Sequence, residues 1–490
     1  MDTARPQKKA RTGGEGAAAG ESPGAPLGFA AVDDVRLFDV PHVRDYLDAS
    51  ADAKYENHMI ASSSAASSSA GHQPNPSCRY NKLLDESDVV FADVKRSAGS
   101  SGACRAMLRA GPRASCWFDP AATNAAIVTC GGLCPGINAV IREIYLTLTH
   151  LYGVPKVYGV QNGYNGFQGW EELGEPGAPV LLTPASVSLI QHRGGTVLGS
   201  SRGGLDVDRV LAVCAKLGIS QLYIVGGDGT HRGAHKIYEA CRRRKRAIAV
   251  AGIPKTIDND LGLIDRSFGF NTAVEEAQRA VLSAKTEASC IPNGIGIVKL
   301  MGRSTGLVAA HATLASGDVD LCLVPEVDVV LEGEWGALAH IERTLAEKGH
   351  AVIVVSEGAG ESVLGQSAET DAGGNRKLPP IGEWLKSQIT AHFAGKGEPV
   401  NIKYIDPSYM IRSVGANAAD RIYCMQSASN AVHGAFAGYT GFSTGLVNNR
   451  VAMMPITELV ARSPRFLDKH GRTWERVLCS TRQPFHTKEE

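Results

Sequence analysis

The sequence predicts an α/β fold on mainly parallel sheets, and three observations carry that prediction. Short apolar runs recur from about residue 115, each closing on a turn and alternating with a helical stretch. Glycine is abundant, at 55 of 490 residues, which suits many strand-to-helix turns. A chain of 490 residues buries a large core and suggests two or three domains. Composition excludes several classes. Lys+Arg and Asp+Glu both number 50, so no overall field favours nucleic acid or an anionic membrane. No apolar run reaches the roughly 18 residues of a membrane helix. The 11 cysteines include no Cys-x-x-Cys pair and read as reduced core residues in a non-oxidising compartment.

In chain order, residues 1–30 are rich in Gly, Ala and Pro, and residues 49–76 contain two Ser triplets. Both offer little apolar area and are expected to be disordered. Between them Val35, Leu37, Phe38, Val40, Val43 and Leu47 form a short docking segment. Asp2, Glu15 and Glu21, with no serine in the first 20 residues, argue against a transit peptide. Lys8-Lys9-Ala10-Arg11 reads as a solvated basic tail rather than a nuclear signal. Strands are expected at 125–129, 156–160, 221–225, 247–253, 294–299, 321–324 and 351–355. The basic run at 242–246 reads as a helix end facing solvent, where positive charge suits the dipole. His311 and His433 lie in apolar or Gly-rich stretches without metal-ligand spacing, and read as packing residues.

Three turns carry the chemistry. After strand 125–129, Gly131, Gly132 and Gly136 make a turn, and a helix from about Asn138 offers its N-terminus to an anion. After strand 221–225 comes Gly226-Gly227-Asp228-Gly229-Thr230. Its glycines let an anion approach the backbone amides, and Asp228 supplies a hard oxygen for a phosphate-bound Mg²⁺. NAD kinases and lipid kinases have a similar turn. After strand 247–253 comes Pro254-Lys255-Thr256-Ile257-Asp258-Asn259-Asp260. Two carboxylates behind a lysine and a threonine suit phosphoryl transfer, which needs a base for an alcohol proton and cations for the leaving charge.

With Ser267-Phe268-Gly269-Phe270-Asn271-Thr272-Ala273, Lys299-Leu300-Met301-Gly302-Arg303 and Ser356-Glu357-Gly358, these motifs resemble the phosphofructokinase family. With 131–138 included, the resemblance covers about residues 111–483 and is nearest the plant ATP-dependent 6-phosphofructokinases. It implies two Rossmann-like domains facing an active-site cleft. These would be an ATP-binding domain at 111–268 and a fructose 6-phosphate-binding domain at 269–410, with 411–490 completing both, preceded by a partly disordered N-terminal extension at 1–110. It implies a glycolytic kinase that phosphorylates the C1 hydroxyl of fructose 6-phosphate with MgATP.

By the same resemblance Gly132, Arg202 and Gly203 contact the nucleotide, and Gly227, Asp228, Gly229 and Thr230 hold its phosphates, with Asp228 on Mg²⁺. Asp258 is the general base, and Lys255 stabilises the transferred phosphoryl charge. Thr256 and Ile257 flank the sugar. Met301, Gly302 and Arg303 close on it, Glu357 accepts bonds from its hydroxyls, and Tyr409, Met410, Ile411 and Arg412 bind the 6-phosphate. Gly229 favours ATP, since pyrophosphate-dependent relatives carry Asp there; Lys255 points the other way, and the plant ATP enzymes combine both. The alternatives are a pyrophosphate-dependent enzyme or a non-catalytic regulatory subunit of one. Bacterial relatives place an arginine nine residues before the one matching Arg303, where this chain has Gly294, so their cross-subunit substrate contact does not carry over. A cytoplasmic homo-oligomer, tetrameric and allosteric by family habit, is implied, with plastid as the alternative location. Cys130 and Cys134 flank the first glycine turn and could serve a redox role.

Overall fold

The computed structural model describes residues 35–47, 55–56, 83–92, 104–168, 178–365, 368–370 and 376–484. The stretches expected to be disordered lie outside these, except Tyr55 and Glu56. Strands are numbered in chain order. β2 (Tyr55–Glu56) and β5 (Ser115–Cys116) form a small antiparallel pair. The large sheet contains β1 (Val35–Leu37), β3 (Val89–Phe91), β4 (Cys104–Arg109), β6 (Asn124–Thr129), β7 (Lys156–Val160) and β8 (Val180–Leu181). It is completed by β9 (Ile219–Gly226), β10 (Ala249–Pro254), β15 (Phe442–Val447) and β16 (Arg450–Pro455). Its order is β1-β4-β16-β15-β10-β9-β6-β7-β8, with β3 alongside β4. The second sheet, β12 (Leu321–Leu323), β13 (His350–Ser356), β11 (Gly294–Leu300) and β14 (Asn401–Ile405), is parallel throughout.

The central strands are apolar because helices cover both faces. Five of six residues in β6 and all six in β10 are buried. Between them in the chain, the helix Val207–Leu217 buries Val210, Leu211, Val213, Cys214 and Leu217 along one side. Asp206 caps its start, and Gly218 ends it in the left-handed conformation, where a Cβ is strained. The run expected at 247–253 starts two residues late. Residues 244–248 are used to close the preceding helix, with Lys245 left-handed and Arg246 N–H bonded to Cys241 O. Arg242 to Arg246 are exposed at that helix end.

Three strands of the large sheet, β1, β3 and β4, come from before residue 111. The docking segment behind β1 buries Val40 and Val43 and ties His42 Nε2 to Ala437 O at 2.8 Å. At the other end of the chain, β15 and β16 form a hairpin whose turn residues Asn448 and Asn449 are both left-handed. Asp265 accepts from their two backbone N–H groups at 3.0 and 2.8 Å. The chain then returns to the second sheet, where the helix Arg472–Thr481 packs on β12 and the helix Leu307–Ser316.

His311 and His433 are packing residues. His311 bonds Leu307 O and meets Phe270 edge-on, and buried His433 bonds Tyr152 at 2.8 Å. Cys130 and Cys134 are buried, and burial raises both thiols, Cys130 to about 12, which opposes thiolate chemistry. No helix among the described residues is long and apolar enough to cross a membrane.

Candidate active site

Most predicted site segments begin at, or just beyond, the C-terminal end of a parallel strand; Arg202 and Gly203 instead lie on the loop that leads into the helix Val207–Leu217. In the large sheet the chain leaves β6 for β7 on one side and later adds β9 on the other. The crevice at such a reversal is where open α/β sheets bind ligands. The turns after β6 and β9 lie there, beside the turn after β10.

Hydrogen bonds from buried Thr129 and Asn138 and half-buried Ser200 fix the turn after β6 and the neighbouring 193–204 loop. Ser200 Oγ donates to Gly131 O at 2.6 Å, Gly131 N–H donates to Ser201 O at 2.9 Å, and Thr129 Oγ1 donates to Gly199 O at 2.7 Å. Asn138 Nδ2 donates to Arg193 O at 3.0 Å, while its Oδ1 accepts from Val197 N–H at 2.9 Å. The result is an open crevice lined by Gly131, Gly132, Gly195, Ser200, Arg202 and Arg412. A Cβ on Gly132 would lie 3.5 Å from Arg412 Nη1 and 4.0 Å from Arg202 Nη2, so both guanidinium groups converge on that turn. Gly203 is left-handed at φ 70°, beside Arg202.

The Asp228 turn is held from beneath by His231. Its ring is fully buried, with Nδ1 3.0 Å from Gly227 O and Nε2 3.0 Å from Ser443 Oγ. Burial lowers this imidazole to about 4, so it is neutral. A neutral ring donates Nδ1–H to the carbonyl and accepts the serine proton at Nε2. Thr230 O accepts from Tyr164 OH at 2.9 Å. A Cβ on Gly229 would meet nothing within 4 Å.

Lys255 is 4 % exposed and donates from Nζ to Gly132 O at 2.5 Å. Desolvation lowers its pKa, and the fields of Arg202 and Arg412 add to that. Beyond it, Thr256 Oγ1 accepts from Asp258 N–H at 3.2 Å, and Ser267 binds the loop twice, through Thr256 O and Asn259 Oδ1. Asp258 Oδ1 is buried without a hydrogen-bond partner. Its carboxyl is raised by desolvation and by the charges of Asp260 and Glu357, against the pull of Arg303 and Arg412. Ile257 is buried in the core and anchors the loop.

The second sheet supplies the opposite wall. Gly302, at φ 140°, follows β11, and a Cβ there would strike Thr305 O and Ser356 Oγ. Ser356 Oγ donates to Gly302 O at 2.8 Å, and Gly358 N–H donates to the same oxygen at 3.1 Å. These bonds bring the Met301–Arg303 turn and Glu357 side by side. Glu357 is raised by desolvation and lowered by Lys299 and Arg303. Arg303 Nη1 donates to Arg376 O at 2.5 Å, and Lys299 pairs with Asp406 at 2.6 Å. After β14, Ile411 is fully buried, so its side chain anchors the segment and does not face the cleft. Tyr409 and Met410 are exposed, and the Arg412 guanidinium lies 5.1 Å from the Tyr409 ring centre.

The donor set fits Mg²⁺ carried by a polyphosphate. Asp228 Oδ2 pairs with Arg232 at 2.6 Å, but its Oδ1 is buried and unpartnered. No group of three His, Cys, Asp or Glu side chains that could cage a metal occurs among the described residues. Mg²⁺ is commonly held by one or two carboxylates plus substrate phosphates.

Asn138, His231 and Ser443 were not anticipated as site-forming residues. Each acts on a backbone carbonyl or on another such residue, and no spacing in the chain signals that.

The family model described as Phosphofructokinase matches residues 124–435. ATP-dependent 6-phosphofructokinase 7 of Arabidopsis thaliana is 49% identical over 379 residues, covering 77% of this chain and 76% of that protein. ATP-dependent 6-phosphofructokinase 4, chloroplastic, of the same plant is 48% identical over 409 residues, covering 82% of this chain and 75% of that protein. Among solved structures, a pyrophosphate-dependent phosphofructokinase from Marinobacter aquaeolei superposes with a TM-score of 0.59. It covers 74% of this chain and 92% of that one at 21% identity, a likeness of fold.

Proposed function

The chain belongs to the phosphofructokinase family, and from that premise we propose that it transfers the γ-phosphoryl group of ATP to the C1 hydroxyl of fructose 6-phosphate. The products are fructose 1,6-bisphosphate and ADP. The observation that carries the reading is the carboxylate of Asp258. It is desolvated, has one oxygen unpartnered, and lies within the fields of Arg303 and Arg412.

In this reading the residue 111–268 body holds ATP and the residue 269–410 body holds the sugar phosphate, with residues from 411 onward completing both. The turns at 131–136 and 227–230 present backbone N–H groups to the phosphates, beside Arg202 and Gly203. Mg²⁺ on Asp228 would neutralise phosphate charge. Glu357 and the Met301–Arg303 turn orient the sugar, and Arg412 takes the 6-phosphate with paired N–H donors. Asp258 accepts the C1 hydroxyl proton as the new P–O bond forms and the bond to the β-phosphate oxygen breaks. Lys255 and Arg303 hold the charge on the moving phosphoryl group. The raised carboxyl makes Asp258 a stronger base, and activity falls as pH drops through its pKa.

ATP is favoured over pyrophosphate by the empty space beside Gly229, which leaves the backbone approachable by a nucleotide. The names of the relatives support the same donor. A cytoplasmic homo-oligomer, tetrameric by family resemblance, belongs to this reading, with plastid as the alternative location. The test is an assay of purified protein with fructose 6-phosphate and either MgATP or magnesium pyrophosphate. Turnover to ADP and fructose 1,6-bisphosphate is expected. Turnover with pyrophosphate alone overturns the donor, and turnover with neither overturns the enzyme.

A further inference from the structure

The loop that carries Asp258 supports itself only in part, through the bonds of Ser267 to Thr256 O and Asn259 Oδ1. Downstream of the base, Asn259 and Leu263 are both left-handed, at φ 56° and 67°. Asn tolerates that region, but Leu there is strained, and such strain persists only when surroundings enforce it. Beyond the hold of the β15–β16 hairpin on Asp265, the enforcement comes from residues 463–467, between the helices Ile456–Ala461 and Arg472–Thr481. This segment lies beyond residues 124–435, where the family model matches.

Arg465 is its centre. Its Nη2 donates to Asn259 O at 3.0 Å, and its Nη1 donates to Ile264 O at 3.0 Å. Its own backbone N–H donates to Asp260 O at 2.5 Å. Ser463 Oγ accepts from Gly262 N–H at 2.9 Å, and a Cβ on Gly262 would lie 2.2 Å from Arg462 O. The guanidinium thus spends its planar fork on carbonyls at both ends of the loop, a geometry that an ammonium cannot copy. Burial lowers the Arg465 pKa, and the charges of Asp260 and Asp265 oppose that.

Two residues further on, the same segment grips the other wall. Leu467 is buried, and its N–H donates to Glu326 Oε1 at 2.8 Å. Glu326 also accepts from Gly306 N–H, at 3.1 Å through Oε1 and 3.0 Å through Oε2. Gly306 opens the helix Leu307–Ser316, three residues after Arg303. One short segment therefore bonds the base loop of the large-sheet body directly and, through Glu326, reaches Gly306 just beyond the Arg303 turn of the small-sheet body.

We propose that residues 463–467 form a strap that sets the spacing between the Asp258 loop and the Arg303 turn, with Arg465 as the positioning residue. The inference rests on the kinase reading for its catalytic consequence, but not for its structural one. Transfer depends steeply on alignment, and a displacement of about 1 Å costs about 10²-fold in rate. Nothing in the strap lines the crevice around Gly131 and Gly132, so nucleotide binding is insulated from it.

Three variants test it: Arg465→Lys, Arg465→Ala and Glu326→Gln. Hydrogen exchange is followed by peptide in each, and steady-state kinetics are run with fructose 6-phosphate and MgATP. Arg465→Lys should lower kcat about 10- to 100-fold while the KM for ATP stays within about 2-fold. Added guanidinium ion should restore part of the activity of Arg465→Ala and none to Asp258→Asn, a response that general destabilisation would not give. Amides of residues 260–267 should exchange at least about 10-fold faster in both Arg465 variants, with those of 219–226 unchanged. Glu326→Gln should give the same kinetic signature more weakly, and combined with Arg465→Lys it should be less than additive. Unchanged exchange at 260–267 overturns the strap whatever the activity. Unchanged kcat in Arg465→Lys, or a matching rise in the KM for ATP, overturns the positioning role. A wild-type protein inactive with both donors overturns the kinase reading alone, because the exchange result still decides the strap.

Discussion

The two walls of the cleft are made of different materials. On the large-sheet side the surface lining the crevice is mostly backbone, held by neutral hydrogen bonds from Ser200, Thr129, Asn138 and His231. On the small-sheet side it is mostly charged side chains, with Arg303, Glu357 and the Lys299–Asp406 pair crowded together. Asp258 stands at the seam, on a large-sheet loop but within the field of the opposite wall. A backbone wall discriminates by shape and by where bulk or charge is forbidden. A charged wall discriminates by which charges are matched, and desolvated carboxylates are its cost.

The largest effect should come from breaking the seam. Asp258→Asn removes the base and should lower kcat by about 10²–10⁴, with both Michaelis constants little changed. Because a buried, raised carboxyl destabilises the fold at neutral pH, the same variant should melt at a higher temperature. A normal kcat would remove Asp258 from the mechanism.

Next is a charge placed on the backbone wall. The space beside Gly229 is empty, its φ is not left-handed, and an acidic residue suits the first turn of a helix. Gly229→Asp should therefore fold normally and act on the ligand. Like charge against the nucleotide phosphates costs several kcal/mol, so ATP-dependent turnover should fall on the order of 10²-fold. Pyrophosphate-dependent turnover should persist or rise with Lys255 in place. If the ratio of the two activities does not move, the backbone wall does not select the donor.

Arg412→Ala sharpens the boundary between the walls. Its guanidinium sits against Gly132 and Arg202, yet it follows a strand of the small sheet. Loss of a charge-assisted contact of about 1.5–3 kcal/mol should raise the KM for fructose 6-phosphate far more than that for ATP. An equal rise in both would assign Arg412 to the nucleotide side as well.

The smallest effect tests the support beneath the backbone wall. Folded His231 titrates near 4, below the usual value of about 6.5. Its contribution is complete above pH 6.5 and is lost as pH falls towards 4, because the unfolded chain takes up a proton that the folded one refuses. The slope is at most about 1.4 kcal/mol per pH unit. His231→Gln should flatten that part of the profile in denaturant titrations at pH 7 and 5. His433, lowered to about 3, has the same sign and remains as background.

The backbone wall was the more legible of the two in the chain. Glycines after apolar runs mark turns directly, and the strands at 125–129, 156–160 and 221–225 stand out because both faces are covered. The hairpin β15–β16 escaped notice because Ser443, Thr444 and Gly445 interrupt its apolar pattern, although all three are buried. Ser443 is there to meet His231, a pairing across 212 positions that no local spacing can announce. On the opposite wall the resemblance grouped Arg303 with Glu357, but nothing in the chain announced the Lys299–Asp406 pair beside them. Arg465 and Glu326 are ordinary charged residues in the sequence and acquire meaning only where the chain doubles back.

The strand order of the large sheet also constrains how the protein is made. β4 lies early in the chain, but its route into the sheet runs through β16, near the end. Strands β10 and β4 are separated by the β15–β16 hairpin. While a ribosome builds the chain, β6, β7, β9 and β10 can associate, but β1, β3 and β4 must wait until the hairpin has emerged. The sheet then has an open edge at β10, and open edges in partly made chains are prone to mispairing. Closure of the fold is therefore a late event in synthesis. Any lesion that shortens the chain before β16 should leave an aggregation-prone fragment rather than a smaller working enzyme.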